Sequence, residues 1–198
     1  SFLHLGHRRS SDGIRPGADR RAGSLPSRAV GQTWAVRLGL AFGRRDRDPV
    51  ERELVAALGP DRVETGAMVR GLYSTDVSVT RGGRAGIVCF PETTEEVAAC
   101  VRSAVRHGRA FVPRGAGTGL AGGAVACDEP VMIVTTRMDR IHEVDVGRRL
   151  AWVGPGVVNL DLTRHLAGTG LHFAPEPSSQ QSSTIGGNVA NNSGGPHC

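Results

Sequence analysis

The sequence predicts a mixed domain of the α/β or α+β class, because helix-like and strand-like segments follow one another along the chain. Short apolar runs rich in β-branched residues are bounded by glycine and proline, as strands are. One longer stretch repeats apolar residues every three or four positions, as a helix does. Glycine accounts for 28 of 198 residues, about twice its usual share of ~7%, and we expect the excess in loops.

The first predicted elements are a helix and a strand. Residues 51–58 are predicted to form a short helix that ends at Gly59 and Pro60. Residues 86–90 contain four consecutive apolar side chains between glycine and proline, which indicates a strand.

The clearest helix is predicted to begin at Thr93. Thr93 and Glu96 have the spacing of a capping box, in which each side chain binds a free backbone N–H. Residues 97, 100, 101, 104 and 105 are apolar and form one helix face, and Gly108 ends the helix. A short strand at residues 111–112 follows.

The second half of the chain is predicted to contain strands at residues 131–135, 141–144 and 150–153. Asn159 is predicted to cap a helix that places Leu162 and Leu166 on its apolar side and ends at Gly168. We expect a further strand at residues 171–173 and a loop over residues 175–198.

Charge and composition exclude several classes of protein. The net charge of +5 belongs to residues 1–48, which carry +6, whereas residues 49–198 carry −1. Without a basic surface and with 4% aromatic residues, the chain is expected to bind no nucleic acid. No apolar run approaches the ~18 residues of a membrane span, so we expect no transmembrane segment.

Residues 1–48 are predicted to be a poorly structured basic leader, and the folded domain is predicted over residues 49–198. The leader is rich in Arg and poor in acids, as transit peptides are, and Arg8-Arg9 resembles part of a twin-arginine signal. A short amphipathic piece at residues 34–42 and a simple disordered extension are the other interpretations.

The four cysteines predict no disulfide framework. Cys89, Cys100, Cys127 and Cys198 form no C-x-x-C pair, so we expect free thiols in a reducing compartment and a cytoplasmic location. His142, His165, His172 and His197 are scattered and have neither metal-ligand nor catalytic-triad spacing. We therefore predict no metal site and assign no catalytic residue.

The first candidate binding segment is the glycine-rich stretch at residues 113–123. Closely spaced glycines let backbone N–H groups approach an anion such as a pyrophosphate. Residues 117–122 match G-x-G-x-x-G, but the following residues are too short and broken for the helix that a Rossmann site requires. A P-loop is excluded because the chain contains no lysine. A phosphate-binding loop between strands is the interpretation we favour over a simple surface hairpin.

The second candidate segment is the polar stretch at residues 175–195. It offers many hydroxyl and amide groups, and two Gly-Gly pairs allow close backbone approach. A flexible linker has a similar composition, but linkers rarely contain Thr-Ile-Gly-Gly-Asn-Val-Ala. We therefore predict a loop that lines a ligand.

These two segments resemble the signature loops of FAD-linked oxidases of the vanillyl-alcohol-oxidase and p-cresol-methylhydroxylase type. The likeness is strongest to the branch that contains glycolate oxidase and D-lactate dehydrogenase, and it covers residues 50–198. Residues 91–97 also resemble the start of the family's first helix in this domain. The resemblance implies an α+β FAD-binding domain. It also implies that the chain stops before the end of that domain and lacks the family's substrate domain.

The resemblance further implies FAD as the cofactor and assigns residues to its site. Thr118 follows Gly-x-Gly where some relatives attach flavin through a histidine, so non-covalent FAD is expected. The implied pyrophosphate loop consists of Pro113, Arg114, Gly115, Ala116, Gly117, Thr118 and Gly119. The implied adenosine and isoalloxazine contacts are Pro177, Ser178, Ser179, Thr184, Ile185, Gly186, Gly187 and Asn188.

The function implied by the resemblance is that of the FAD-binding part of an oxidoreductase for a 2-hydroxy acid such as glycolate or D-lactate. Its partners would be a small-molecule substrate and either an electron acceptor or partner subunits. Any association with a membrane would occur through these partners. Two alternatives stay open. One is the same fold acting on a sugar, an aromatic alcohol or an ether-lipid precursor, and the other is an incomplete, non-catalytic fragment.

Overall fold

The structure is a computed structural model that describes residues 48–195, so the predicted leader lies outside the described residues except for Asp48. The described chain contains five α-helices and six strands. The helices are α1 (Pro49–Leu58), α2 (Ala67–Leu72), α3 (Thr94–Arg106), α4 (Asn159–His165) and α5 (Ile185–Ala190). The strands are β1 (Val63–Glu64), β2 (Ile87–Cys89), β3 (Phe111–Arg114), β4 (Val131–Val134), β5 (Ile141–Asp145) and β6 (Leu150–Val153).

The main sheet has four strands in the order β1-β2-β4-β3. Strands β2, β4 and β3 are parallel, and β1 pairs antiparallel with β2 at the edge. All four residues of β4 are buried, as expected for a central parallel strand covered on both faces.

Both faces of this sheet are covered. On one face, α1 and α3 pack against β2 and β4, with Leu54, Cys100 and Ile133 in the core between them. On the other face, Met132 and Val134 of β4 pack with Ala126 and the half-buried Tyr73. Successive side chains of β4 therefore point to opposite faces of the sheet and pack into two separate cores.

A third core lies around α4. Strands β5 and β6 form an antiparallel hairpin, and Val153 of β6 packs against buried residues of α4 and α5. The chain closes this core through two contacts: the Ile185 N–H donates to the Val157 carbonyl at 2.8 Å, and Val158 and Thr184 form an antiparallel bridge. This arrangement fixes the position of the predicted second loop.

The predicted start of α3 is confirmed. The Thr93 hydroxyl accepts from the Glu96 N–H at 3.2 Å, as predicted. The Glu96 carboxylate accepts from the Glu92 N–H at 2.7 Å and from Arg62, and the Thr93 backbone N–H is among the donors that lower its pKa. The predicted apolar face is buried at Cys100 and Ala104, whereas Val105, on the same face, is 64% exposed.

Three predictions around the second loop were wrong. Asn159 is not the N-cap of α4 but its first residue, and its buried side chain donates from Nδ2 to the Pro175 carbonyl at 2.8 Å. Residues 171–173 form no strand, and Leu171 and Phe173 are half-buried against the third core. The segment predicted as a loop contains α5, and Thr184 caps this helix by accepting from the Gly187 N–H.

Glu53 of α1 binds the end of α3. Its carboxylate accepts from Arg106 Nη1 at 2.9 Å, and its other oxygen lies 3.0 Å from His107 Nε2. The hydrogen bond from His107 and the nearby Ser103 hydroxyl outweigh the opposing effect of burial and, with Arg106, lower the pKa of Glu53 from 4.5 to about 2.

We expect acid to destabilise the protein through Glu53. The unfolded chain binds this proton more tightly, so the stabilisation is complete above pH 4.5 and is lost as the pH falls toward 2. In urea denaturation, Glu53→Gln should flatten the pH dependence of the unfolding free energy across this range. The exposed Glu95→Gln is the control, and parallel curves for Glu53→Gln and wild type would contradict the assignment.

Neither a membrane span nor a metal cluster is found in the part of the chain that the structure describes. Within residues 48–195, no helix is long and apolar enough to cross a membrane. In the same range, no group of three or more His, Cys, Asp or Glu side chains is arranged to hold a metal ion.

Candidate functional site

The two predicted segments meet at a cavity of about 400 Å³. The cavity lies beyond the carboxyl ends of β3 and β4, where ligands of open parallel sheets commonly bind. Every predicted residue of the first segment lines it. From the second segment, the lining residues are Ser179, Thr184, Gly186, Gly187 and Asn188.

Three predicted site residues do not line this cavity. Ile185 is 8% exposed and belongs to the third core. The Pro177 carbonyl accepts from the Gln180 N–H at 2.8 Å and shapes the turn that carries Ser179. Ser178 is exposed on the same turn.

The first loop offers a row of free backbone donors. Across the described chain, no hydrogen bond uses the backbone N–H of residues 115–119 as its donor. These residues are consecutive and all line the cavity. Successive free N–H groups of this kind form a concave site for an anion. No helix follows before β4 begins at Val131, so the rejection of a Rossmann site is confirmed.

Two glycines of the first loop leave no room for a side chain. Gly117 has a φ of +75°, and a Cβ built there would lie 2.2 Å from Arg114 Nη2. A Cβ at Gly115 would lie 2.3 Å from the Thr184 hydroxyl oxygen. The second contact shows that the two loops approach each other so closely that a side chain at residue 115 would separate them.

Arg114 connects the first loop to neighbouring segments through hydrogen bonds and a ring contact. Its Nη1 donates to the Thr75 carbonyl at 2.7 Å and to the Ala124 carbonyl at 3.2 Å, and its guanidinium carbon lies 5.3 Å from the centre of the Tyr73 ring. Burial lowers the pKa of Arg114, which Tyr73 and Asp76 partly oppose. Its Nε is buried without a hydrogen-bond partner among the described residues.

Asp76 is a lining residue that sequence reasoning missed. One carboxylate oxygen accepts from the Ser78 N–H at 2.8 Å, and the other accepts from the Ala124 N–H at 3.4 Å. Burial alone would raise its pKa, but hydrogen bonds from Ser78 and Ala124 and the charge of Arg114 hold that pKa below its ordinary value. Asp76 is therefore a carboxylate at a site otherwise built for an anion.

Asn188 presents an unpaired donor to the cavity. Its side chain is 4% exposed, and Nδ2 has no hydrogen-bond partner among the described residues. An unpaired buried polar group is costly, so such groups often mark a place where a ligand completes the hydrogen bond. The remaining lining residues that were not predicted include Thr135, Pro155, Asn191 and Ser193.

A smaller cavity of about 230 Å³ adjoins the first one. The two cavities share Ala116 and Thr184, and Asp139 and Asp161 line the smaller one. A ligand in the main cavity would therefore have room to extend past Ala116 and Thr184 into the smaller one.

Comparison with curated proteins gives relatives named as a glycolate oxidase subunit and as a D-lactate dehydrogenase. A glycolate oxidase subunit from Bacillus subtilis (strain 168) is 34% identical over 74% of this chain and 31% of its own length. A D-lactate dehydrogenase from Anaerostipes hadrus is 34% identical over 70% of this chain and 29% of its own length. The chain thus spans about a third of the length of these curated relatives.

Solved structures support the fold. An alkyldihydroxyacetonephosphate synthase superposes with a TM-score of 0.67 at 24% identity, covering 74% of this chain and 29% of that one. A p-cresol methylhydroxylase superposes with a TM-score of 0.63 at 18% identity, covering 71% of this chain and 28% of that one. At this identity the likeness concerns the fold alone, and it confirms the predicted α+β class.

The family comparison identifies the cofactor. The sequence profile of a family described as "FAD binding domain" matches residues 85–198, more than half of the chain. Both loops that line the main cavity fall inside this match. FAD as the cofactor, predicted from the same loops, is thereby confirmed, and the chain belongs to the FAD-binding domain family.

Proposed function

We propose that this chain is the FAD-binding part of a flavin-dependent oxidoreductase that oxidises a 2-hydroxy acid such as glycolate or D-lactate. The observation that carries the proposal is the convergence of residues 113–119 and 184–188 on one cavity. The substrate class is inferred from relatives whose names specify glycolate and D-lactate.

The main cavity fits the central part of FAD. Its volume of about 400 Å³ lies within the range of ~300–1,000 Å³ typical of small-molecule sites. The unused N–H groups of residues 115–119 suit a pyrophosphate, which needs several donors at once. A Cβ at Gly119 would meet only the Asn191 amide, at 3.7 Å, so the protein itself leaves that position open.

The proposed roles follow from this placement. The backbone of residues 114–119 binds the pyrophosphate, and Ser179, Thr184 and Asn188 contact the adenosine or isoalloxazine parts. Gly186 and Gly187 allow the cofactor to approach the backbone closely. Thr118 offers no imidazole for a covalent bond, so the cofactor is proposed to bind non-covalently.

The bound FAD would supply the two-electron oxidation of the substrate, as cofactors do in such enzymes. The residues of this chain bind and orient the cofactor and exclude water from its phosphates. An electron acceptor or a partner subunit would receive the electrons. The name of the Bacillus subtilis relative as a subunit supports a partner of this kind.

A fluorescence titration tests the FAD site directly. We expect the full chain to bind FAD saturably, with quenching of flavin fluorescence and a higher thermal unfolding midpoint in excess FAD. A cooperatively folded chain that leaves flavin fluorescence unchanged would contradict the proposal. The substrate class is tested on the complete gene product by dye-linked oxidation of glycolate, D-lactate and p-cresol. Oxidation of p-cresol without oxidation of either acid would overturn it.

Replacing Asn188 with leucine separates binding from stability. Because Nδ2 is buried and unpaired in the protein, Asn188→Leu should leave the thermal midpoint unchanged or higher. The same change should weaken FAD binding about tenfold, because a donor to the cofactor is lost. Val189→Ala, at a neighbouring residue that is 74% exposed, is the control. An unchanged dissociation constant would show that Asn188 does not contact FAD.

A further inference from the structure

We propose that Asp76 is a positioning residue that holds the glycine-rich loop in its binding shape. It acts within residues 74–83, which we name the bracing segment. This segment precedes residue 85, where the family match begins, so nothing in that match accounts for it. The inference rests on the proposed FAD site, because the loop that it stabilises is the one that lines the main cavity.

The bracing segment is hydrogen-bonded to both limbs of the loop. On the outgoing limb, the Val77 N–H donates to the Gly117 carbonyl at 3.1 Å. The returning limb continues past the loop as residues 124–126. There the Ala126 N–H donates to the Ser74 carbonyl at 2.9 Å, and the Gly83 N–H donates to the Ala126 carbonyl at 2.8 Å. A loop rich in glycine has high conformational entropy when free, so these contacts limit the shapes it can adopt.

Asp76 joins the segment to the loop at its centre. One oxygen accepts from the Ser78 N–H and shapes the segment itself, while the other accepts from the N–H of Ala124, the residue that directly follows the loop. Arg114 donates to the Ala124 carbonyl and to the Thr75 carbonyl. The two polar backbone groups of Ala124 are thus held by an acidic and a basic side chain, which fixes the peptide planes on either side of this residue.

A direct role in binding the cofactor does not explain this carboxylate. Like charges repel, so an aspartate beside a pyrophosphate lowers the affinity for the cofactor. The aspartate is therefore explained only by a favourable effect on binding that is larger than this repulsion. Its hydrogen bonds to the protein supply that effect, because N–H groups fixed before binding need no ordering when the anion arrives. The negative charge also offsets the half-buried Arg114 when the site is empty.

The test compares four forms of the full chain with the wild type. Asp76→Ala removes both contacts. Asp76→Asn keeps one accepting oxygen, so it can retain only one of the two contacts and turns an NH2 donor toward the other N–H. Asp76→Ser keeps a hydroxyl that can reach Ser78 but is too short for Ala124. Asp128→Ala removes an exposed carboxylate that does not line the cavity and is the control. Each form is examined by FAD titration, thermal unfolding and amide hydrogen exchange of residues 115–126 without FAD.

We expect Asp76→Ala to raise the dissociation constant for FAD about tenfold and to speed exchange across the loop by a similar factor. Asp76→Asn should lie between wild type and Asp76→Ala in both measurements, whereas Asp76→Ser should resemble Asp76→Ala. If Asp76→Ala does not fold, Asp76→Ser and Asp76→Asn give the same comparison. Asp128→Ala should match wild type throughout.

Two results would overturn the inference. One is FAD binding in Asp76→Ala that is unchanged, which would mean that the carboxylate has no net effect on the site, or tighter, which would mean that it only repels the cofactor. The other is unchanged loop exchange in both Asp76→Ala and Asp76→Ser. The exchange measurement needs no cofactor, so it decides the bracing role even if the wild-type chain fails to bind FAD and the proposed function falls.

Discussion

Replacing Gly117 with valine is expected to abolish FAD binding, raising the dissociation constant by at least about 100-fold. The φ of +75° is costly for a β-branched residue, and a Cβ would lie 2.2 Å from the Arg114 guanidinium. Both effects displace the row of N–H groups at residues 115–119. The measurement is a flavin fluorescence titration, with circular dichroism to confirm that the variant folds.

Gly170 provides a matched control for backbone strain. Its φ is +76°, almost the same as that of Gly117, but a Cβ there would have no atom within 4 Å, and the residue does not line the main cavity. Gly170→Val should therefore lower stability by about 1–2 kcal/mol and leave FAD affinity unchanged. Equal losses of affinity in the two variants would mean that strain, and not the shape of the loop, explains the effect.

Replacing Leu54 with alanine should lower the free energy of unfolding by about 2–5 kcal/mol. Leu54 is fully buried between α1, α3 and the main sheet. Domains of this size are stabilised by only about 5–15 kcal/mol, so the variant should lose a large part of its stability. Urea denaturation followed by circular dichroism measures the change, and the urea midpoint should fall while the slope stays constant.

The same experiment tests whether α1 is part of the domain. Helix α1 precedes the region matched by the family profile, which begins at residue 85. Val79→Ala, at a residue that is fully exposed, should change stability by less than about 0.5 kcal/mol and is the control. If Leu54→Ala changed stability as little as Val79→Ala does, α1 would be only loosely attached to the sheet.

The elements that the sequence predicted well are those whose local signals agree with their packing. Helix α3 has a capping threonine, a periodic apolar face and a terminating glycine, and each signal is found in the structure apart from the exposed Val105. Strands β2, β4 and β6 are short apolar runs with clear boundaries. In these segments no distant contact had to override the local preference.

The missed elements depend on contacts that the sequence does not display. Helix α5 contains Gly186 and Gly187, which disfavour a helix, and it is held by its cap and by the Val157 carbonyl. Strand β1 has only two residues and exists because β2 offers an edge. Asn159 has the sequence of a cap, but it donates instead to Pro175, sixteen residues away.

The sequence predicted the parts of the site that depend on flexible glycine-rich backbone. It missed the parts that depend on a single side chain. Clustered glycines are visible in a sequence, and every predicted residue of the first loop lines the cavity. Asp76 has no such pattern, because it reaches the cavity through a fold contact with Ala124, 48 positions along the chain. Thr135 and Pro155 also depend on where β4 and β6 end.

The two walls of the main cavity are anchored in different hydrophobic cores. Residues 113–119 continue from the main sheet, whereas residues 184–188 are fixed to the third core around α4. A ligand that touches both walls would link these cores energetically. Without FAD, each core can open on its own, and hydrogen exchange would report two separate opening energies. With FAD bound, opening either core requires losing the ligand, so the two would unfold as one cooperative unit.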